Sequence, residues 1–133
     1  MPSGQCHCGA IRYQLDGEPV RHALCHCKDC RRHAGAPMVA WAIYLAGALN
    51  VSGVPRIYPS SEHGRRHFCG DCGTGLFYTN DVALPGMINV QSATLDEPNS
   101  LSPEMQVQTA ERLGWVQNLD SLPTFARYSK SSG

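Results

Sequence analysis

Arg66-His67-Phe68-Cys69-Gly70-Asp71-Cys72-Gly73-Thr74-Gly75-Leu76-Phe77-Tyr78 sets two cysteines in a glycine-rich turn between two strand-forming arms. Arms of this kind around a tight turn predict a β-hairpin. The thiols at Cys69 and Cys72 suit a tetrahedral metal, which draws its ligands from short, sharply turned backbone. Gly73, directly after the second cysteine, allows a positive φ and lets backbone amides point at the sulfurs. That is the geometry of a closed metal knuckle.

The same pattern occurs at the other end of the chain, as Cys6-His7-Cys8-Gly9. A third cluster, Cys25-His26-Cys27-Lys28-Asp29-Cys30, is followed by Arg31 and has no such glycine. The chain has 7 cysteines, and the knuckle glycines divide them into four and three. Cys6, Cys8, Cys69 and Cys72 are expected to close a four-thiolate structural zinc site, tying the N-terminus to the hairpin. Cys25, Cys27 and Cys30 remain as three thiolates with an open fourth position, the arrangement of a catalytic zinc. The expected cofactor content is therefore two Zn²⁺ per chain.

A three-thiolate zinc is electron-rich and favours a soft incoming ligand, for which a free thiol is the natural candidate. Lys28, Arg31, Arg32 and His33 surround this triad in sequence. They either attract an anionic substrate or form a solvated helix face. His7 and His26, lying between ligands, are read as spacers. His26 or His33 as a fourth ligand would make the second site structural instead. His22, His63 and His67 stand outside any motif and are expected at the surface or in strands. Trp41, Phe68, Phe77 and Tyr78 lie in strand-like runs and are expected in the core; Tyr13 is open to either reading.

At 133 residues the length suits one domain, expected over 1–128, with a flexible tail at 129–133. Formal charge is zero with thiols neutral. Seven thiolates around two zinc ions take the holo chain to about −3, which argues against nucleic-acid binding. No apolar run follows Met1, so neither a signal peptide nor a membrane span is expected. An odd cysteine count without a secretory signal fits metal in a reducing cytosol better than disulfides.

Short, turn-separated elements predict a mainly β fold. Ile11–Leu15 alternates, His22–Leu24 enters the second cluster, and Met38–Leu45 reads as a buried strand. Asp29–Ala34 can form one or two helical turns with Gly35 as cap. Short strands and turns are expected across 47–64, further strands at Met87–Val90 and Met105–Ala110, and turns between these two.

Three segments together resemble the glutathione-dependent formaldehyde-activating enzyme family. They are Gly4-Gln5-Cys6-His7-Cys8-Gly9 with Tyr13; Cys25-His26-Cys27-Lys28-Asp29-Cys30-Arg31-Arg32 with Gly35-Ala36; and Phe68-Cys69-Gly70-Asp71-Cys72-Gly73-Thr74 with Leu76. Thr94-Leu95-Asp96 is similar to a later family segment, and the likeness runs from Gly4 to Pro123. The resemblance implies several coiled antiparallel β-sheets organised around zinc knuckles. It also implies a structural zinc on Cys6, Cys8, Cys69 and Cys72 and a catalytic zinc on Cys25, Cys27 and Cys30. The implied reaction joins glutathione and formaldehyde to S-hydroxymethylglutathione. No histidine follows His67, so a late histidine cannot assist.

The leading expectation is a cytoplasmic, zinc-dependent carbon–sulfur lyase acting on a small thiol and a small aldehyde. The rival is a non-catalytic, zinc-stabilised protein-binding module; an iron–sulfur protein is a third reading. A zinc deaminase is disfavoured, because no His-x-Glu precedes a Pro-Cys-x-x-Cys.

Overall fold

The computed structural model describes residues 1–128, so the tail expected at 129–133 lies outside the described residues. In chain order the elements are β1 (Ser3–Gln5), β2 (Arg12–Leu15), β3 (Arg21–Cys25), α1 (Lys28–Ala34), β4 (Val39–Leu45), β5 (Leu49–Ser52) and β6 (Arg56–Pro59). They continue with β7 (Gly64–Phe68), β8 (Gly75–Asn80), β9 (Met87–Gln91) and β10 (Met105–Val107). Turns of 3-10 helix fill much of 92–121. The mainly β expectation holds.

Two sheets form. One runs β1-β2-β5, the other β10-β3-β4-β9-β8-β7-β6. The hairpin expected around Cys69 and Cys72 is β7–β8, with an irregularity in register at His67/Phe68. Every pairing is antiparallel except that β10 joins β3 in parallel, setting Val107 beside Cys25. A chain crosses back to a parallel partner only through a long connection, here the turns after β9.

Strand alternation gives the large sheet two different faces. One face meets the small sheet in the main core, with Tyr44 and Ala42 of β4, Val90 and Ile88 of β9, and Phe77 of β8 packed on Tyr13 and Leu15 of β2. Tyr13 stands edge-on to Phe77 at 5.3 Å between ring centres, so it is a core residue. The other face carries Cys25, Val39 and Trp41, with Cys30 of α1 against them. Cys6 and Cys69 lie within the main core, so the four-cysteine group joins the two sheets.

Burial pushes the Tyr13 hydroxyl up to about 12. It bonds Thr94 Oγ1 at 2.7 Å. Gly4, opposite Tyr13 in register, lets the ring pass. A Cβ there would strike the Tyr13 ring and approach the Thr94 carbonyl to 2.6 Å. Gly4→Ala is therefore expected to lower stability by about 1–3 kcal/mol, measured by denaturant titration with circular dichroism.

Candidate metal centre

The two knuckles are built alike. Gly9 and Gly73 have φ of 81° and 83°. The Gly9 amide donates to the Cys6 carbonyl at 3.1 Å and the Gly73 amide to the Cys69 carbonyl at 2.8 Å. Each turn thus brings two thiols to one side, as the positions of the glycines implied. The Ile11 amide points at Cys6 Sγ at 3.3 Å.

Cys6 and Cys8 sulfurs lie 3.7 Å apart, and so do those of Cys8 and Cys69. Zinc–sulfur bonds of about 2.3 Å in a tetrahedron require sulfurs about 3.8 Å apart. All four sulfurs, with that of Cys72, lie within 4.8 Å of one another. Thr74 ties the two turns together: its hydroxyl meets Cys72 Sγ at 3.2 Å and accepts the His7 amide at 3.0 Å. The Thr74 hydroxyl and amide draw the Cys72 thiol down to about 5. The donor set fits a zinc ion.

The second group comes from three different positions on the backbone. Cys25 ends β3, Cys27 caps α1, and Cys30 is the buried residue of α1. Cys27 Sγ accepts the Cys30 amide at 3.2 Å, which is why this turn needs no knuckle glycine. Gly35 closes the helix with φ 65°. The three sulfurs lie within 4.8 Å of one another, again a fit for a thiophilic ion. No histidine joins them among the described residues. His26 is turned away, with Nε2 2.8 Å from Gln106 Oε1, and His33 packs between the rings of Tyr58 and Phe68.

Hydrogen bonding favours the thiolate of Cys30. The Cys25 thiol, then the Cys27 thiol, the Trp41 indole and the Arg66 guanidinium pull it down to about 5. Cys25 is pushed well up, first by that same bond to Cys30. Trp41 Nε1 lies 3.4 Å from Cys30 Sγ, and both Arg66 Nη atoms lie 3.8 Å from it. Arg66 is only 6% exposed, and it stacks over the Tyr78 ring at 5.0 Å.

A cleft of about 400 Å³ opens directly onto Cys25, Cys27 and Cys30. Its walls include Trp41, Tyr78, Asn89, Arg66, Met105 and Val107. Trp41 and Tyr78 are therefore cleft residues as well as packing residues, which corrects the expectation of core alone. Lys28, Arg31 and Arg32 do not line the cleft; Arg31 and Arg32 border a separate hollow beside Trp115. The cations of the cleft are Arg66, from the distant strand β7, and Arg21, at the other end of β3 from Cys25. A hollow of about 420 Å³ on the small sheet is as roomy but contains no cysteine or histidine.

Residues 1–111 match the family described as glutathione-dependent formaldehyde-activating enzyme. The chain belongs to that family. A Halomonas elongata protein, provisionally named a glutathione-dependent formaldehyde-activating enzyme, is 29% identical over 126 residues, covering 86% of this chain and 78% of its own. An uncharacterized lyase of Schizosaccharomyces pombe is 33% identical over 79 residues, covering 58% of this chain and 58% of its own. A crystal structure of a Rhodobacter sphaeroides protein matches with a TM-score of 0.60 at 24% identity, covering 79% of this chain and 99% of that one. That last likeness shows the fold alone. No helix among the described residues is long and apolar enough to cross a membrane.

Proposed function

We propose that this chain is a zinc-dependent carbon–sulfur lyase that joins a small thiol, glutathione or a close relative, to formaldehyde or a similar aldehyde. The observation that carries the reading is the cleft of about 400 Å³ whose floor is the three-thiol group. In this reading Cys6, Cys8, Cys69 and Cys72 hold a structural Zn²⁺, and Cys25, Cys27 and Cys30 hold a catalytic one. When bound at the triad, Zn²⁺ supplies a soft Lewis acid with one position open to a substrate thiolate.

The remaining work falls to the chain. Trp41 and Arg66 donate to Cys30 and hold its lone-pair density, which lowers the nucleophilicity of that thiolate. The aldehyde therefore meets the substrate sulfur in preference to Cys30. One C–S bond forms, the C=O π pair moves to oxygen, the thiol gives up a proton, and the oxygen takes one. No oxidant or reductant is required. Asp29, exposed at the rim, can pass the proton to solvent water. Cleft walls of Trp41, Tyr78, Met105 and Val107 hold the partners together. In this reading the reaction runs in the cytoplasm.

The test is calorimetric titration of glutathione into protein of known zinc content. Binding is expected with release of a proton, and affinity should rise with pH toward the thiol pKa, because the thiolate is the ligand. Absence of binding by glutathione and 2-mercaptoethanol alike would move the reading to a non-catalytic, zinc-stabilised binding module.

A further inference from the structure

The antiparallel registers align Arg66 with Tyr78, Tyr78 with Asn89, Asn89 with Ile43, and Ile43 with Arg21. Residues directly opposite one another project from the same face of a sheet. These five side chains therefore form one row across β7, β8, β9, β4 and β3, and all five line the cleft. Two polar groups in the row are buried without a partner among the described residues. Asn89 is 7% exposed, and among the described residues neither its Oδ1 nor Arg66 Nε has a hydrogen-bond partner. A buried carboxamide oxygen left unpaired is costly, so a polar group in the middle of a central strand calls for an explanation. The far end of the row is Arg21, which is exposed and lies beyond the last register pair of β10 with β3.

We propose that this row is the track on which the tail of the substrate thiol lies, with Asn89 reading an amide group and Arg21 taking a carboxylate at the outer end. The inference rests on the function proposed above. A carboxamide offers both an acceptor and donors, the complement of a peptide group. Arg21 stands four residues along β3 from Cys25, roughly 13 Å at the Cα atoms. That span suits a thiol whose carboxylate is separated from sulfur by an amide-containing arm, and it exceeds the reach of a short alkyl thiol. Arg66, at the inner end, is engaged with Cys30 and leaves the outer charge to Arg21.

The test is calorimetry on the zinc-loaded full chain with glutathione, its glycine ethyl ester and 2-mercaptoethanol. Asn89→Leu is expected to weaken glutathione and the ester about fivefold and leave 2-mercaptoethanol unchanged. Its melting temperature should not fall, because the group it removes has no partner. Arg21→Gln should weaken glutathione about threefold, with loss of salt sensitivity, and leave the ester unchanged. If Asn89→Leu fails to fold, the exposed Arg21→Gln carries the test alone. Effects equal across all three thiols, or absent, overturn the track while leaving the lyase reading intact. Failure of every thiol to bind the wild type overturns both.

Discussion

Cys72→Ala should leave a chain with no cooperative thermal transition. Cys72 is half-buried at the edge of the main core, and removing one sulfur there costs far less in packing than opening the proposed metal site. A closed four-thiolate zinc site adds about 10–16 kcal/mol of folding free energy. Whole domains are stable by only about 5–15 kcal/mol. The four-cysteine group also joins the two sheets, so opening it separates the main core. Cys27→Ala is the contrasting variant. It removes a helix cap worth about 1 kcal/mol and one of three thiols on the opposite face of the large sheet. It should melt cooperatively, fold as the wild type does, and carry one zinc fewer by elemental analysis. Equal collapse of both variants would make the triad structural as well.

Arg66→Met should weaken metal binding at the triad by about 10–100-fold, the usual cost of losing a partner of a metal ligand. Three thiolates and Zn²⁺ sum to one negative charge, and the guanidinium beside Cys30 opposes it in a nearly dry setting. Methionine keeps the apolar stem over Tyr78 while removing the charge. Chelator competition should show early release of one zinc and unchanged retention of the other. Loss of both metals together would mean that Arg66 supports the fold and not the triad.

Much of this was legible in the residues. Gly9 and Gly73 announced the knuckles because a glycine directly after a cysteine pair permits the positive φ that turns backbone amides toward the sulfurs. The hairpin arms, α1 and its Gly35 cap followed from local pattern. The cleft did not. Arg66, Asn89 and Arg21 meet only through strand registers spanning five strands, and no local spacing reports a register. The apolar run at β4 showed burial but not that Trp41 faces a different environment from Tyr44. The basic residues of α1 were a tempting anion site because they are adjacent in sequence, yet the helix carries Arg31 and Arg32 to a hollow away from the cleft. His22 and His26 are both fully buried, bonded to Ser92 and Gln106, partners 70 and 80 residues away.

The parallel edge strand has a bearing on how the protein is made. Cys25, Cys27 and Cys30 leave the ribosome early, but the strand that flanks Cys25, receives the His26 amide and supplies Gln106 lies about 80 residues later. At synthesis rates of about 5–20 residues per second, the three thiols wait roughly 4–16 s before that edge arrives. Throughout this interval they are close in sequence, thiol-rich and uncovered. Metal capture during translation would protect them from oxidation, and cells short of zinc should accumulate newly made chains oxidised at the triad.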